Sequence, residues 1–317
     1  MTMGVIHFAP IGTSPGAVTS ALAYLVHNQD KFAEAFKGQI VESIVIFASY
    51  DVADGTTPVS ECIWNEYQNI TIRKRWRRVD GANVVDVALQ FIKEEIAPVM
   101  PRKGTVYCWE VDVHDFDACF NAVARATLAL APQEKVGKNI WANLTGGTNV
   151  LNAAILEVAF MSGLISRIYY TFVANESDRK YLQPPTSDPA RFRWDEIPLV
   201  KTAFDEAWYC VPRELAEIGD WYEDEELLER LKSKAWQHFS EMGFRTFKAQ
   251  FLNKMDGREL EYDASRHRNR LSTYGREILE RISDPLFQDL IARGEKSRVD
   301  VESLRRELIG KELWSKP

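Results

Sequence analysis

The chain has 317 residues, 45% of them apolar and 27% charged, with a formal net charge of −7. That length supports a large core and about two domains, and the acidic balance excludes a protein that is basic throughout, as a general nucleic-acid binder would be. Neither half is basic: Lys and Arg number 18 against 22 Asp and Glu in residues 1–200, and 21 against 24 in residues 201–317. The four cysteines, Cys62, Cys108, Cys119 and Cys210, form no C-x-x-C pair and point to a reducing, cytoplasmic setting. No signal-peptide pattern opens the sequence. The most apolar window, residues 150–174, is broken by Asn152, Glu157 and Arg167, so no membrane span is expected.

In chain order, residues 5–11 (VIHFAPI) read as a buried strand, followed at once by the turn GTSPG, where Ser14 is a natural N-cap and Pro15 suits the first position of a helix running to Leu25. A second strand is expected at 43–49, then the turn-rich DVADGTTP and a helix from about Ser60. Residues 70–79 (ITIRKRWRRV) stay open between a strand and the tail of that helix; five of the six residues 73–78 are basic, which suits a solvated edge. A helix at 84–96, a turn at PVMPRKG, a strand at 105–111 and a helix at 116–130 continue the alternation.

Residues 139–174 form one strand–turn–helix–strand unit. It consists of a strand at 139–145, the turn Gly146–Gly147, an apolar helix at 148–163 and a strand at 165–174. Glycines at such a turn let backbone amides approach a ligand, and the helix start presents unpaired N–H groups and a positive dipole end, which favours an anion. Apolar strands alternating with helices predict a doubly wound, Rossmann-like parallel sheet covered on both faces. Ligands bind such sheets beyond the strand carboxyl ends where the strand order reverses, so GTSPG and TGGTN are expected to line one site.

Residues 175–200, with Pro184, Pro185, Pro189 and Pro198, read as a linker or crossing segment. Beyond it come a long helical stretch at 213–243 with an acidic start, a short helix in GFRTFKAQFLNKM, and two short strands around a basic turn. A further helix starts at Ser272. That order predicts a smaller, mostly helical, winged-helix-like domain, a plain helical bundle being the alternative. The expected division is 1–180 for the sheet domain, 181–204 for the linker and 205–317 for the helical domain.

NLTGGTN followed by a small-residue apolar helix, together with the early strand and GTSPG, resembles the CARF (CRISPR-associated Rossmann fold) domain of type III CRISPR–Cas accessory proteins over the first 175–200 residues. The resemblance implies a cytoplasmic homodimer in antiviral defence that binds a cyclic oligoadenylate, the tetra-adenylate first among them, across its two-fold axis. Carried over, Asn143, Thr145, Gly146, Gly147, Thr148 and Asn149 form one wall and Gly12, Thr13, Ser14 and Pro15 the other. Asn149 stands where many family loops have lysine; asparagine hydrogen-bonds but brings no charge. The alternative implied reading is a metal-independent ring nuclease that cleaves the same ligand. In it Thr13 and Ser14 position the attacking 2′-hydroxyl and Thr148 stabilises charge on the phosphate.

G-x-G-x-x-G is absent, no tight His/Asp/Glu grouping suggests a metal, and no cofactor is expected. His7 reads as a core or rim residue, and His27 and His114 as surface residues. The HEPN pattern of arginine followed after four to six residues by histidine is missing, since Arg230 and His238 are too far apart. GRELEYDAS lacks the lysine of a PD-(D/E)XK nuclease. In the winged-helix reading, Arg245, Lys248, Arg266, Arg268 and Arg270 are the candidate nucleic-acid contacts.

Overall fold

The computed structural model describes residues 5–27, 41–59, 63–67, 74–78, 81–100, 104–131, 139–173, 175, 192–197, 206–234, 238–256, 259–291 and 300–316. The chain divides into one unit of residues 1–202 and 289–317 and a second of residues 203–288.

The first unit begins with β1 (Val5–Ile11), α1 (Gly16–His27), β2 (Val41–Ser49) and the single turn α2 (Tyr50–Ala53). An antiparallel ribbon of β3 (Ile63–Tyr67) and β4 (Lys74–Arg78) follows. Next come α3 (Val84–Phe91), extended by a π turn and a 3-10 turn, then β5 (Thr105–Val111), α4 (Phe116–Leu130) and β6 (Asn139–Asn143). The helix α5 (Asn149–Ser162) and the strands β7 (Ile165–Val173) and β8 (Phe192–Ile197) complete this run.

The strand order is β12-β5-β2-β1-β6-β7-β8, in which β12 (Glu312–Ser315) comes from the far end of the sequence. Neighbours from β5 to β7 are parallel, and the edge strands β12 and β8 are antiparallel. From β1 the chain winds outward through β2 and β5, then returns to lay β6 on the other side of β1. The reversal therefore falls between β1 and β6. This is a Rossmann-like, doubly wound α/β sheet. Its central strands are buried on both faces: Ala9, Ile11, Ile44 and Ile46 pack with Val18 and Leu22 of α1 and Val84 and Ala88 of α3. Phe8 and Phe47, one residue out of phase, meet edge-on at 5.3 Å on the opposite face.

Three expectations change. The helix expected from Ser60 is the strand β3; paired with β4, it resolves 74–78 as strand, while Ser60, Cys62, residues 70–73 and Val79 lie outside the described residues. Within the expected linker 181–204, residues 192–197 form β8, whose Trp194 stacks on Tyr169 of β7; the other residues lie outside those described. The second domain does not run to 317. Past Gln288, α12 (Val301–Ile309) packs on α4, with Arg305 Nε donating to the Ala129 carbonyl at 3.1 Å and Arg125 paired with Glu307. β12 then zips onto β5, and Lys316 Nζ donates to the Ala97 and Met100 carbonyls at 2.9 Å each. A four-residue edge strand of mixed polarity has no strong signal of its own; the partner strand decides it.

The second unit runs α6 (Glu206–Ile218), β9 (Tyr222–Glu223), α7 (Asp224–Ser233), α8 (Phe244–Phe247), a π turn at Lys248–Leu252 and α9 (Asn253–Met255). It continues with β10 (Leu260–Asp263), β11 (Arg268–Leu271), α10 (Thr273–Ser283) and α11 (Pro285–Ile291), within which the unit ends. The strands form a three-stranded sheet in the order β10-β11-β9. Helix, short strand, two helices and a hairpin closing a three-stranded sheet is a winged-helix-like arrangement. Phe239, Phe247 and Phe251 form its aromatic centre, with ring centroids 5.1–5.9 Å apart. Ser272 caps α10 by accepting from the Gly275 amide at 2.9 Å.

Candidate functional site

The two glycine loops leave the carboxyl ends of β1 and β6, which are adjacent strands, so the topology brings GTSPG and LTGGT to one crevice at the reversal point. The fit between them explains the glycines. A Cβ on Gly146 would lie 2.3 Å from the Pro10 carbonyl oxygen and 3.1 Å from Ala17 Cβ. Gly147 has φ +76°, and its Cβ would lie 2.5 Å from Pro10 Cβ. Gly12 faces Gly147, whose amide nitrogen would be 4.0 Å from an added Cβ.

Buried side chains hold the loops together. Asn143 is fully buried; its Nδ2 donates to the Ala17 carbonyl at 2.9 Å, and its Oδ1 accepts from the Thr145 amide at 2.9 Å, so one amide group ties the start of α1 to the second loop. Thr145 Oγ1 meets Thr171 Oγ1 at 3.0 Å and accepts from the Thr171 amide at 2.8 Å, anchoring the loop to β7. Thr148 is the N-cap of α5: its Oγ1 accepts from the Leu151 amide at 3.3 Å and lies 3.4 Å from the Val113 carbonyl. Asn152 lies beneath, Nδ2 donating to the carbonyls of Leu144 and Gly146 at 3.3 and 3.1 Å, with its buried Oδ1 unpartnered among the described residues.

What remains open to a ligand is backbone and small hydroxyls. Thr13 and Asn149 are exposed, Gly12, Ser14 and Gly147 partly so, and Pro15 is buried. The amides of Asn149 and Val150 head a 14-residue helix with no intrahelical acceptor. The first turns of α1 and α5 contain no acidic residue, whereas α3, α4 and α12 begin with Asp86, Asp117 and Glu302. A carboxylate in a first turn offsets the positive helix end. At the crevice both ends keep theirs.

Other chemistry-bearing groups stand apart from the loops. His7 is fully buried five residues before Gly12, roughly 15 Å along an extended strand. Its Nε2 is hydrogen-bonded to the Tyr169 hydroxyl, and burial pushes its pKa down to about 3, so the imidazole is neutral. Burial raises the thiol pKa of Cys108 to about 12 and that of Cys119 to about 11, and neither is a thiolate at neutral pH. His114 is exposed. Among the described residues no three His, Cys, Asp or Glu side chains form a metal-holding group, and no helix is long and apolar enough to cross a membrane.

In the second unit, Lys248 Nζ donates to Asp224 Oδ2 at 2.8 Å and to the Tyr262 hydroxyl at 3.0 Å; the Asp224 hydrogen bond leads in raising its pKa. Arg270 Nε donates to Glu261 Oε2 at 2.7 Å and its guanidinium lies over the Trp221 ring, while Arg268 lies 3.7 Å from Asp263. Arg245 and Arg266 are exposed.

A Rossmann-like α/β domain, with two glycine loops and two helix starts meeting at the strand-order reversal, is the class that this crevice defines. Comparison with known proteins adds little detail. No protein-family model matches the chain. A curated protein of Archaeoglobus fulgidus, described as uncharacterized, is 24% identical over 236 residues, covering 62% of this chain and 68% of that one. Among solved structures, Enterococcus italicus Csm6 bound to cyclic hexa-2'-fluoro-hexa-dAMP aligns with 80% of this chain at 14% identity and a TM-score of 0.36. The chain spans 55% of that protein's length, and a likeness of this size carries no argument.

Proposed function

We propose that this chain is a CARF-type sensor of type III CRISPR signalling that binds cyclic tetra-adenylate across the two-fold axis of a homodimer and signals to its winged-helix-like unit. The observation that carries the reading is the convergence of two helix starts free of acidic residues, α1 and α5, on glycine loops at the strand-order reversal. Two such starts per protomer make four in a dimer, matching the four phosphodiesters of the tetra-adenylate ring, and a two-fold ring suits a two-fold pair of identical loop sets. Backbone amides bind phosphate without lysine or arginine, so the net charge of −7 is no obstacle.

Holding is favoured over cutting. The Thr148 hydroxyl is engaged by the Leu151 amide and the Val113 carbonyl, and Asn149 brings no cation to the phosphate. Isothermal titration of the purified protein with cyclic tetra-adenylate, followed by chromatography of the recovered ligand, tests this. One intact ring bound per two chains is expected. Failure to bind any ring size would overturn the reading, and linear or 2′,3′-cyclic-phosphate di-adenylate would turn it into a ring nuclease.

A further inference from the structure

Beside the glycine loops, the next strand ends in an exposed aromatic. β1 and β2 are parallel neighbours with Ile11 opposite Ala48. Tyr50 follows Ala48 by two residues, as Thr13 follows Ile11, so both lie just past the same carboxyl edge on chains that are about 5 Å apart within the sheet. Tyr50 is 58% exposed, more than Tyr274 or Tyr170. An isolated exposed tyrosine on a loose loop would mean little; this one heads a braced turn. The Asp54 amide donates to the Tyr50 carbonyl at 2.9 Å, and the Thr57 amide to the Asp51 carbonyl at 2.7 Å. Thr57 Oγ1 donates to Asp51 Oδ2 at 2.6 Å, and Asn83 Nδ2 to the Ala53 carbonyl at 3.0 Å, while Val52 is buried. The backbone under the ring is therefore fixed before any ligand arrives.

Charge varies along this carboxyl edge in the same way. Asp51, next to Tyr50, is exposed, and hydrogen bonds led by that from Ser49 hold its carboxyl below the usual aspartate range. A carboxylate there repels phosphate, whereas the loops of Gly12 and Gly147 present positive helix ends. A nucleotide bound with its phosphate at the glycines can place its uncharged base, not its backbone, on the α2 side. Aromatic faces on single-stranded nucleotide sites take bases by stacking.

We infer that Tyr50 is the stacking platform for an adenine of the bound ligand, a positioning and specificity residue outside the two glycine loops. This rests on the cyclic-oligoadenylate reading above. Wild type, Tyr50→Ala and Tyr50→Phe are titrated with cyclic tetra-adenylate at several salt concentrations, and each is melted. The alanine variant is expected to bind about 10- to 100-fold more weakly and the phenylalanine variant within about threefold of wild type. Melting temperatures and the slope of log affinity against log salt stay unchanged, because no phosphate contact is lost. Wild-type affinity in Tyr50→Ala overturns the platform and leaves the sensor reading standing. Equal losses in both variants, or a shallower salt slope, also overturn stacking. A wild-type protein that binds no ring size overturns both.

Discussion

The crevice between β1 and β6 has no lysine or arginine in either glycine loop, whereas the second unit has Arg245, Lys248, Arg266, Arg268 and Arg270. Counting charges would send an anion to the second unit. The hydrogen bonds send it to the first. Lys248, Arg268 and Arg270 already face Asp224, Asp263 and Glu261, while the start of α5 keeps amides without acceptors. What a surface can bind depends on the groups its own fold has left unpaired, and the sign of its side chains is a poor substitute for that tally.

The contrast breaks most severely at Gly146. Gly146→Ala puts a methyl group against the Pro10 carbonyl oxygen, and the loops must part. We expect a loss of about 2–4 kcal/mol of stability and at least about a 100-fold loss of cyclic tetra-adenylate affinity, read by urea unfolding and calorimetry. The pH dependence separates the two units next. His7 has a folded pKa of about 3 against about 6.5 unfolded. The unfolded chain therefore takes up the proton first, so the contribution is full above about pH 6.5 and declines as the pH falls. It amounts to about 2 kcal/mol lost between pH 7 and 5, and His7→Gln should flatten that slope in unfolding curves.

Glu214, in the second unit, behaves differently. Burial alone would raise its pKa, but hydrogen bonds from Lys234 and Arg230 outweigh it and the net shift is downward. Its contribution is present above the unfolded carboxylate value of about 4.3 and is lost only as the pH falls below that. Melting temperatures of Glu214→Gln and wild type should therefore converge towards pH 3 and diverge at pH 6. A smaller effect is expected from Asn149→Lys, which adds the cation that the crevice lacks. Ligand affinity should rise severalfold, and the log–log salt slope should steepen by about 0.7–0.9. Least of all, Arg245→Ala with Arg266→Ala should leave ligand affinity unchanged within about twofold by calorimetry.

Much of the first unit was readable from the sequence because its strands are buried on both faces. Apolar runs such as VIHFAPI and SIVIFAS have no rival interpretation once turn residues bound them. The glycine loops were readable too, since Gly146 and Gly147 sit where only a missing Cβ fits. What escaped depended on partner strands. β12 exists because β5, far back in the chain, offers an open edge, and β3 and β4 exist because each pairs with the other. At the site, Asn152 looked like a mere interruption of an apolar helix. Tyr50 had no motif around it, because its significance comes from the register of β2 against β1. Asn143 and Thr145 were expected as a binding wall, and their polar atoms are engaged in holding the loops to α1 and β7.

The pairing of β12 with β5 also has a consequence for biosynthesis. About 200 positions separate Ser315 from its partner Thr105. At about 5–20 residues per second a ribosome needs roughly 10–40 s to bridge that gap. Throughout that interval the nascent sheet has an open edge at β5, the situation in which strands pair with the wrong chain. A nascent chain arrested before residue 312 should therefore be captured by holdase chaperones more readily than one released after residue 316.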